Sequence, residues 1–357
     1  MKIEVWTWGT GGPFGRELGV GANRRRRGHT ATSIVIPAGE AGGAPGAHIL
    51  IDAGAPVVER MIEAGVTAPD LLFLTHPHFD HVSDLDRLAN SRMRGLMVRS
   101  GVRDFERAAK LFGPLPVIGT EGCLRHPEDG VMGRFGYLGG LVSWRPLSDY
   151  DVWQRVRRPD GALLPPESRG EALMLAGASR RSGGAVEGAP SERFGHPDPG
   201  SLFPFEIKAL PVRHSKHAPG SCLFVFRLGF GPVGSPGGDG PRVRSVVISG
   251  DFKTMEEGVL ESPDLRDPAC LVLDANTIKA PGDYHASLEE ERALIDRWTS
   301  GEEEVLVLFN HLSGFGDYLE GFYDHVPDDE EWRAAARFPT KPKVTVRIAE
   351  DGECYRI

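Results

Sequence analysis

The feature that most narrows what this chain can be is a single short run. His76, Pro77, His78, Phe79, Asp80 and His81 follow closely on Leu71–Leu74, an unbroken apolar stretch that reads as a strand buried on both faces. His76 and His78 stand two apart. In extended backbone such residues point the same way, so their imidazoles can share one ion. Asp80 and His81 come next, where the chain has to turn. Two sets of donors packed this closely suit two neighbouring metals better than one. Nitrogen and carboxylate donors without thiolate favour Zn²⁺, with Mn²⁺ or Fe²⁺ as alternatives. A polar loop that merely happens to hold histidine would not gather three of the chain's 12 histidines, with an aspartate, into one such run.

Two metals need further ligands, and the sequence offers them at strand ends. His214 follows a predicted strand over 207–212. Asp251 follows one over 246–249 through a glycine, and His311 follows one over 305–309. Any of these alone would more often be a loop residue, and Asp251 alone could be a helix N-cap. Their shared placement, an apolar β-rich run followed at once by His or Asp, sets them apart as a group.

The rest of the chain alternates strand and helix patterns. A strand over 2–8 stops at Gly9, Thr10, Gly11, Gly12 and Pro13, a turn that excludes continued strand. Paired strands are expected over 32–36 and 48–51, the second ending in Asp52, Ala53 and Gly54. Helices are expected over 57–64, 83–94 and 287–298, the last with Ser287 as N-cap and Glu290 at capping-box spacing. Later strands fall over 205–211, 222–228, 244–249, 270–273, 305–309 and 344–348. The pattern is mixed α/β in one domain, 1–357. Residues 122–203, rich in Gly, Pro and Arg, read as an irregular insertion within it, with 180–199 as a loop.

Read in order, these pieces resemble the metallo-β-lactamase fold superfamily. The closest likeness is to the branch holding the tRNA 3′-processing ribonuclease Z and the cyclic phosphodiesterase of the phosphonate pathway. The matching pieces are Gly9-Thr10-Gly11, Asp52-Ala53-Gly54, Thr75 to His81, Val212-Arg213-His214-Ser215, Ser249-Gly250-Asp251, Tyr284-His285-Ala286-Ser287 and Asn310-His311-Leu312-Ser313. The resemblance implies an α/β fold, a four-layer αββα sandwich with metals at one edge of its two sheets. It assigns His76, His78 and His214 to one metal, and Asp80, His81 and His311 to the other, with Asp251 bridging. Asp52 would orient the ligand loop from behind. It also gives His285 a catalytic part alongside Asp80, because the phosphodiesterase branch has a catalytic histidine in this slot. Without the resemblance, His285 would read as an ordinary residue ahead of a helix cap.

The reaction expected from this set is hydrolysis of a small cyclic or nucleotide-like phosphodiester. A metal-bridging hydroxide would be the nucleophile, and His285 the acid or charge stabiliser. A carboxylic ester, lactone or thioester hydrolase is the alternative on the same scaffold. A non-catalytic metal-containing sensor is a third reading, and the complete donor set argues against it. The short interval from His214 to Asp251 leaves no room for the tRNA-binding arm of ribonuclease Z. The net charge of −9 argues against a dedicated tRNA, general nucleic-acid or membrane binder. Family members are often homodimers, and by that analogy so would this chain be.

The four cysteines are dispersed without a CxxC pair, so neither a thiolate zinc knuckle nor a disulfide framework is expected. The structural-zinc cysteines of the phosphonate-pathway enzyme are likewise not matched. No signal-peptide stretch or membrane-spanning run is present, so a soluble, cytoplasmic protein is expected. Asp84 stands where the family has glycine; the plain reading is an acid in a first helical turn. In 122–203, Trp144, Tyr150, Trp153, Arg155, Arg157 and Arg158 could form a substrate lid. The plain alternative is aromatic packing and solvated arginines. Arg24 and Arg25, in the basic run that ends at Arg27, would steer phosphate if their loop reached the metals.

Overall fold

Leu71–Leu74 is a strand with every residue buried, as its unbroken apolar character requires. The same logic is visible residue by residue in Cys270–Asp274. Cys270 and Val272 join one core cluster, while Leu271 and Leu273 join another on the opposite face. The computed structural model describes residues 3–12, 27–37, 46–147, 149–157, 161–164, 202–230, 242–279, 284–312 and 327–357. Arg24, Arg25, Arg158, Ser313 and the loop over 180–199 lie outside these residues.

Among the described residues, fifteen strands form two sheets. They are β1 (Glu4–Gly9), β2 (Ala31–Ile36), β3 (Ala47–Ile51), β4 (Leu71–Leu74), β5 (Leu115–Thr120), β6 (Val142–Leu147), β7 (Gln154–Arg157), β8 (Leu163–Leu164), β9 (Leu202–Pro211), β10 (Cys222–Phe230), β11 (Arg242–Ile248), β12 (Cys270–Asp274), β13 (Val305–Asn310), β14 (Val344–Ile348) and β15 (Glu353–Arg356). The first sheet runs β15-β1-β2-β3-β4-β5-β6 and the second β14-β13-β12-β11-β10-β9-β7-β8. Strands β3 to β6 are mutually parallel, as are β11 to β14. Each parallel run therefore delivers its C-terminal ends to one edge, where loops can gather side chains.

The sheets pack face to face over an apolar core. Phe73 of β4 meets Phe226 and Phe224 of β10 edge-on, with ring centroids 5.2 and 5.4 Å apart. The outer face of the first sheet is covered by Val57, Val58 and Met61 of the helix Val57–Glu63 and by Leu85, Leu88 and Ala89 of the helix Leu85–Ser100. The outer face of the second is covered by Leu288, Ile295 and Trp298 of the helix Leu288–Trp298 and by Trp332 of the helix Asp329–Ala335. This is the four-layer αββα arrangement. The capping box is present: Ser287 Oγ accepts from Glu290 N at 3.2 Å, and Glu290 Oε2 accepts from Ser287 N at 2.8 Å.

The segment over 122–203 differs from the irregular insertion expected of it. Its described part supplies β6, the outer strand of the first sheet, and β7 and β8, the outer strands of the second. Edge strands are half-exposed on both faces, so they lack the alternation that announces a strand. The burial of β6 reads buried, four half-buried, buried. The chain also closes with β15, beyond the last strand expected. No helix among the described residues is long and apolar enough to cross a membrane.

Candidate metal centre

The donors converge where β4, β11, β12 and β13 end. His76 follows β4 after Thr75, and Asp80 and His81 lie in a short helix, Phe79–Val82, that turns them back inward. Asp251 follows β11 through Ser249 and Gly250. A side chain at Gly250 would put Cβ 2.5 Å from Thr75 Cβ, and its φ of +57° is one that glycine adopts without penalty. Asp52 and His311 each follow a strand with φ near +60°, 59° and 58°. That sparsely populated conformation for a non-glycine residue is held by the surrounding fold.

Three overlapping groups of donors result: His76, His78, His214 and Asp251; Asp80, His81, Asp251 and His311; and Asp251, Asp274, His285 and His311. All seven metal ligands expected from sequence are in the first two. Their spacing tests whether a metal fits. Four donors at about 2.05 Å from a tetrahedral Zn²⁺ lie about 3.3 Å from one another. His311 Nε2 is 3.1 Å from Asp251 Oδ2 and 3.2 Å from Asp80 Oδ2, and His81 Nε2 is 3.2 Å from Asp251 Oδ1 and 3.5 Å from Asp80 Oδ2. In the other group, His214 Nε2 is 3.2 Å from His78 Nδ1 and 3.8 Å from Asp251 Oδ2, and His76 Nε2 is 3.6 Å from Asp251 Oδ2. Moreover His76 Nε2, His81 Nε2 and Asp251 Oδ1 are buried without a hydrogen-bond partner. Orphaned donors of this kind cost about 1–3 kcal/mol each unless something else binds them. The residues fit divalent metal.

Four of the five candidate ligand histidines are also held by their outer nitrogen, which fixes tautomer and aim, while the outer nitrogen of His311 is buried without a hydrogen bond. His76 Nδ1 lies 3.1 Å from Thr75 Oγ1, and His78 Nε2 lies 3.2 Å from Ser215 Oγ. His81 Nδ1 donates to Asp52 Oδ2 at 2.7 Å, and His214 Nδ1 donates to the Tyr284 carbonyl at 2.6 Å. His311 Nδ1 is 3.4 Å from Asp274 Oδ1. Asp52 lies beside the His76 to His81 run through its contact with His81. It also accepts from Thr75 N at 2.9 Å and Thr75 Oγ1 at 2.8 Å.

Electrostatics follows the burial. Burial lowers His76 well below its usual range, and His81 lowers it further. Burial pushes His214 down to about 4. Burial would lower His81 and His311 as well, but the carboxylates around them outweigh it. Asp251, Asp52 and Asp80 raise His81 well above its ordinary value, and Asp251 and Asp274 raise His311 to about 10. Burial acts against the charged form of Asp251, yet His311, His81 and His76 hold it well below the usual carboxylate range. In the same way His81 and His311 hold Asp80 at about 2. The metal-free cluster is thus carboxylate-rich and keeps protons on His81 and His311, protons that a metal would displace.

His285 comes to the same place. Its Nδ1 donates to Asp274 Oδ2 at 2.9 Å and lies 3.8 Å from Asp251 Oδ2, and its ring stacks on His311 at 4.8 Å. Asp274 is a site residue the sequence reading passed over. It ends β12 by the same rule that located Asp251 and His311, but the strand was taken to stop at Leu273. Behind it lies Glu291, fully buried with neither carboxylate oxygen bonded. Burial, followed by Asp274 and Glu290, pushes its pKa well up.

Other expected site residues have different placements. Trp144 packs onto the helical-face core of the first sheet, and Arg155 sits on β7 opposite Glu206 of β9. Trp153 carries the Arg227 guanidinium 3.6 Å from its ring centroid. Arg27, last of the basic run, is buried and bonds Thr10 Oγ1, the Ala349 carbonyl and Asp329. Asp84 is buried and accepts from Val58 N at 3.1 Å; it is in none of the three donor groups.

Comparison with known proteins gives a consistent picture. Residues 40–101, which contain the His76 to His81 run, match the family model described as the metallo-beta-lactamase superfamily. No curated protein gives a significant match. Among solved structures, this chain is similar to a diphosphatase from the PhnP family, with TM-score 0.57, 15% identity and coverage of 100% of this chain and 98% of that one. It is similar to the metallo-beta-lactamase fold protein YhfI from Bacillus subtilis, with TM-score 0.53, 16% identity and full coverage of both chains. It is also similar to a long form RNase Z from yeast, with TM-score 0.50, 12% identity and coverage of 99% of this chain and 41% of that one. Residues 40–101 thus match the superfamily's model across the His76 to His81 run, and the chain as described has the metallo-beta-lactamase fold.

Proposed function

We propose that this protein is a dinuclear metal-dependent hydrolase, with Zn²⁺ as the metal, that cleaves a small phosphodiester. His76, His78 and His214 would hold one ion, Asp80, His81 and His311 the other, and Asp251 would lie between them. When bound, the metals lower the pKa of water so that hydroxide is available near neutral pH, and they offset charge developing on a phosphate.

The observation that carries the choice of substrate is the Asp274–His285 pair beside the ligand cluster. Asp274 accepts the Nδ1 proton of His285 at 2.9 Å, which leaves Nε2 as the free ring nitrogen. His285 keeps 15% of its side chain exposed beside Asp251 and His311, which are almost wholly buried, so Nε2 can meet a substrate. As an imidazolium, His285 could donate an Nε2 proton to a departing alkoxide. A phosphodiester with a poor leaving group needs that proton; an activated ester does not. The interval between His214 and Asp251 holds β10 and β11, which supports a substrate smaller than tRNA. The fold is shared with a diphosphatase, which is compatible with this reading.

The test is turnover of bis(p-nitrophenyl) phosphate against p-nitrophenyl acetate by zinc-loaded protein, with His285→Ala alongside. We expect the phosphodiester to be preferred. His285→Ala should lower its kcat on the order of a hundredfold or more with metal content unchanged. Preference for the acetate, with His285→Ala indifferent, would favour the carboxylic ester reading instead.

A further inference from the structure

A cleft of about 490 Å³ opens at the edge of the sandwich where the metal centre is not. It lies between β14 and β15, the outermost strands of the two sheets at that side. Its lining includes Arg244, Glu304, Val305 and Lys343, at or just before the N-terminal ends of β11, β13 and β14. The metal donors follow the C-terminal ends of the parallel strands, so the two sites sit at opposite ends of the same sheet.

The cleft exists because the core between the sheets stops short of this edge. On β14, Val344, Val346 and Ile348 pack on the helical side. Thr345 and Arg347, which alternate with them, are exposed on the other face. Leu306, Tyr355 and Ile357 are the last apolar side chains of the inter-sheet core and form the cleft floor.

The charges around this floor are unbalanced. Arg244, Lys343, Arg347 and Arg356 all line the cleft, against one side-chain carboxylate, Glu304. Arg356 pairs with Glu4 at 3.3 Å. Arg244 donates to the Glu304 carbonyl, and Lys343 donates to the Glu302 carbonyl at 2.7 Å. Neither has a carboxylate partner among the described residues, and the Arg347 side chain has no hydrogen bond or ion pair there. A chain of net charge −9 with 50 acidic residues has no shortage of counter-charges. Three cations gathered in one concave site with a single side-chain carboxylate, Glu304, for company repel one another more than that one charge offsets. An anion would relieve it.

We propose that this cleft is a second ligand site, separate from the metal centre, that binds a phosphate monoester carried on a ring. The phosphate would sit among Arg244, Lys343 and Arg347, and the ring on the floor formed by Leu306, Tyr355 and Ile357. A phosphate monoester carries close to two negative charges at neutral pH and three acceptor oxygens, which suits several cations better than one carboxylate does. The volume lies within the roughly 300–1,000 Å³ of small-molecule sites. The proposal does not depend on what the metal centre hydrolyses.

Cys354 supplies a local reporter. It lines the cleft and is half-exposed, whereas Cys123, Cys222 and Cys270 are buried. Its thiol is pushed up to about 11 by burial and by Glu4, so alkylation is slow enough to follow by intact mass. The experiment measures N-ethylmaleimide modification of the zinc-loaded protein with increasing 5′-AMP, with adenosine as the uncharged control. We expect AMP to slow the reaction several-fold and saturably, and adenosine to have little effect. In the Lys343→Ala/Arg347→Ala double variant the AMP concentration needed should rise on the order of tenfold or more. Arg347→Lys alone should retain most of the protection. Both altered positions are exposed, so thermal unfolding verifies that the double variant is folded. No protection by AMP, equal protection by adenosine, or undiminished protection in the double variant would each overturn the proposal.

Discussion

Gly12 offers the sharpest test of how the glycine turn serves the metal centre. A Cβ placed on Gly12 would lie 2.7 Å from His311 Cε1 and 3.1 Å from His311 Nε2, the nitrogen that faces Asp80 and Asp251. Ordinary contact begins at 3.4 Å, so the ring must retreat by about 0.7 Å, the difference between 3.4 and 2.7. It has little freedom to do so, with His285 stacked on the ring and Asp274 beside its Nδ1. Metal–ligand bonds tolerate only about 0.2 Å of displacement. Gly12→Ala should therefore weaken the ion held by Asp80, His81, Asp251 and His311 by roughly 10- to 100-fold. The ion held by His76, His78 and His214 should be much less affected. Dialysis against buffers of graded free zinc, followed by metal counting by mass spectrometry, reads both occupancies. The control is Gly133→Ala, where an added Cβ meets nothing within 4 Å. It should leave metal content alone and stabilise its helix by up to about 1 kcal/mol. If Gly12→Ala kept two zinc ions at wild-type affinity, the steric reasoning would be wrong.

Two further outcomes follow from the same geometry. Asp274→Asn keeps the shape but removes the charge facing His285, so kcat on a phosphodiester should fall on the order of tenfold to a hundredfold, less than for His285→Ala. A loss equal to that of deleting the imidazole would mean that Asp274 does more than position it. Metal loading should also release protons. His311 is raised from 6.5 to about 10, so its proton stabilises the metal-free fold fully below pH 6.5, and that contribution is lost as pH rises through 10. Between those values zinc must displace the proton, and affinity should rise by up to tenfold per pH unit from this group alone. Calorimetry in buffers of differing ionisation enthalpy measures the release, and finding none at pH 8 would contradict it.

Much of the metal centre was legible because its physics is local. His76 and His78 share a face through strand period, and Asp251 and His311 follow apolar runs whose burial on both faces leaves no doubt that they are strands. What was not legible depends on neighbours distant in sequence. Asp274 was hidden by a boundary one residue off. Ser215 and Tyr284 matter through an oxygen each, positioned by folds of chain that composition does not reveal. Trp144 and Trp153 admit a lid reading beside the plain one of packing, since an aromatic ring serves both; the structure shows one against core and the other under Arg227. Strands β6 and β8 are edge strands, which need no hydrophobic alternation, and β7 between β9 and β8 is only four residues long, with Arg155 and Arg157 in it.

The metal centre is also a seam. His78 is 136 residues from His214, and Asp80 is 231 from His311, yet each pair is within 3.2 Å. During synthesis the run from His76 to His81 emerges first, and its partners only much later. Until then the nascent chain carries half a site, with several donors and no closed coordination shell. Capture of a metal by the full donor set would therefore have to await the second sheet. Once made, it fastens two loops whose closure would otherwise have to be held by packing alone. A cell short of metal would thus hold this protein with its two halves less firmly joined, before any question of catalysis arises.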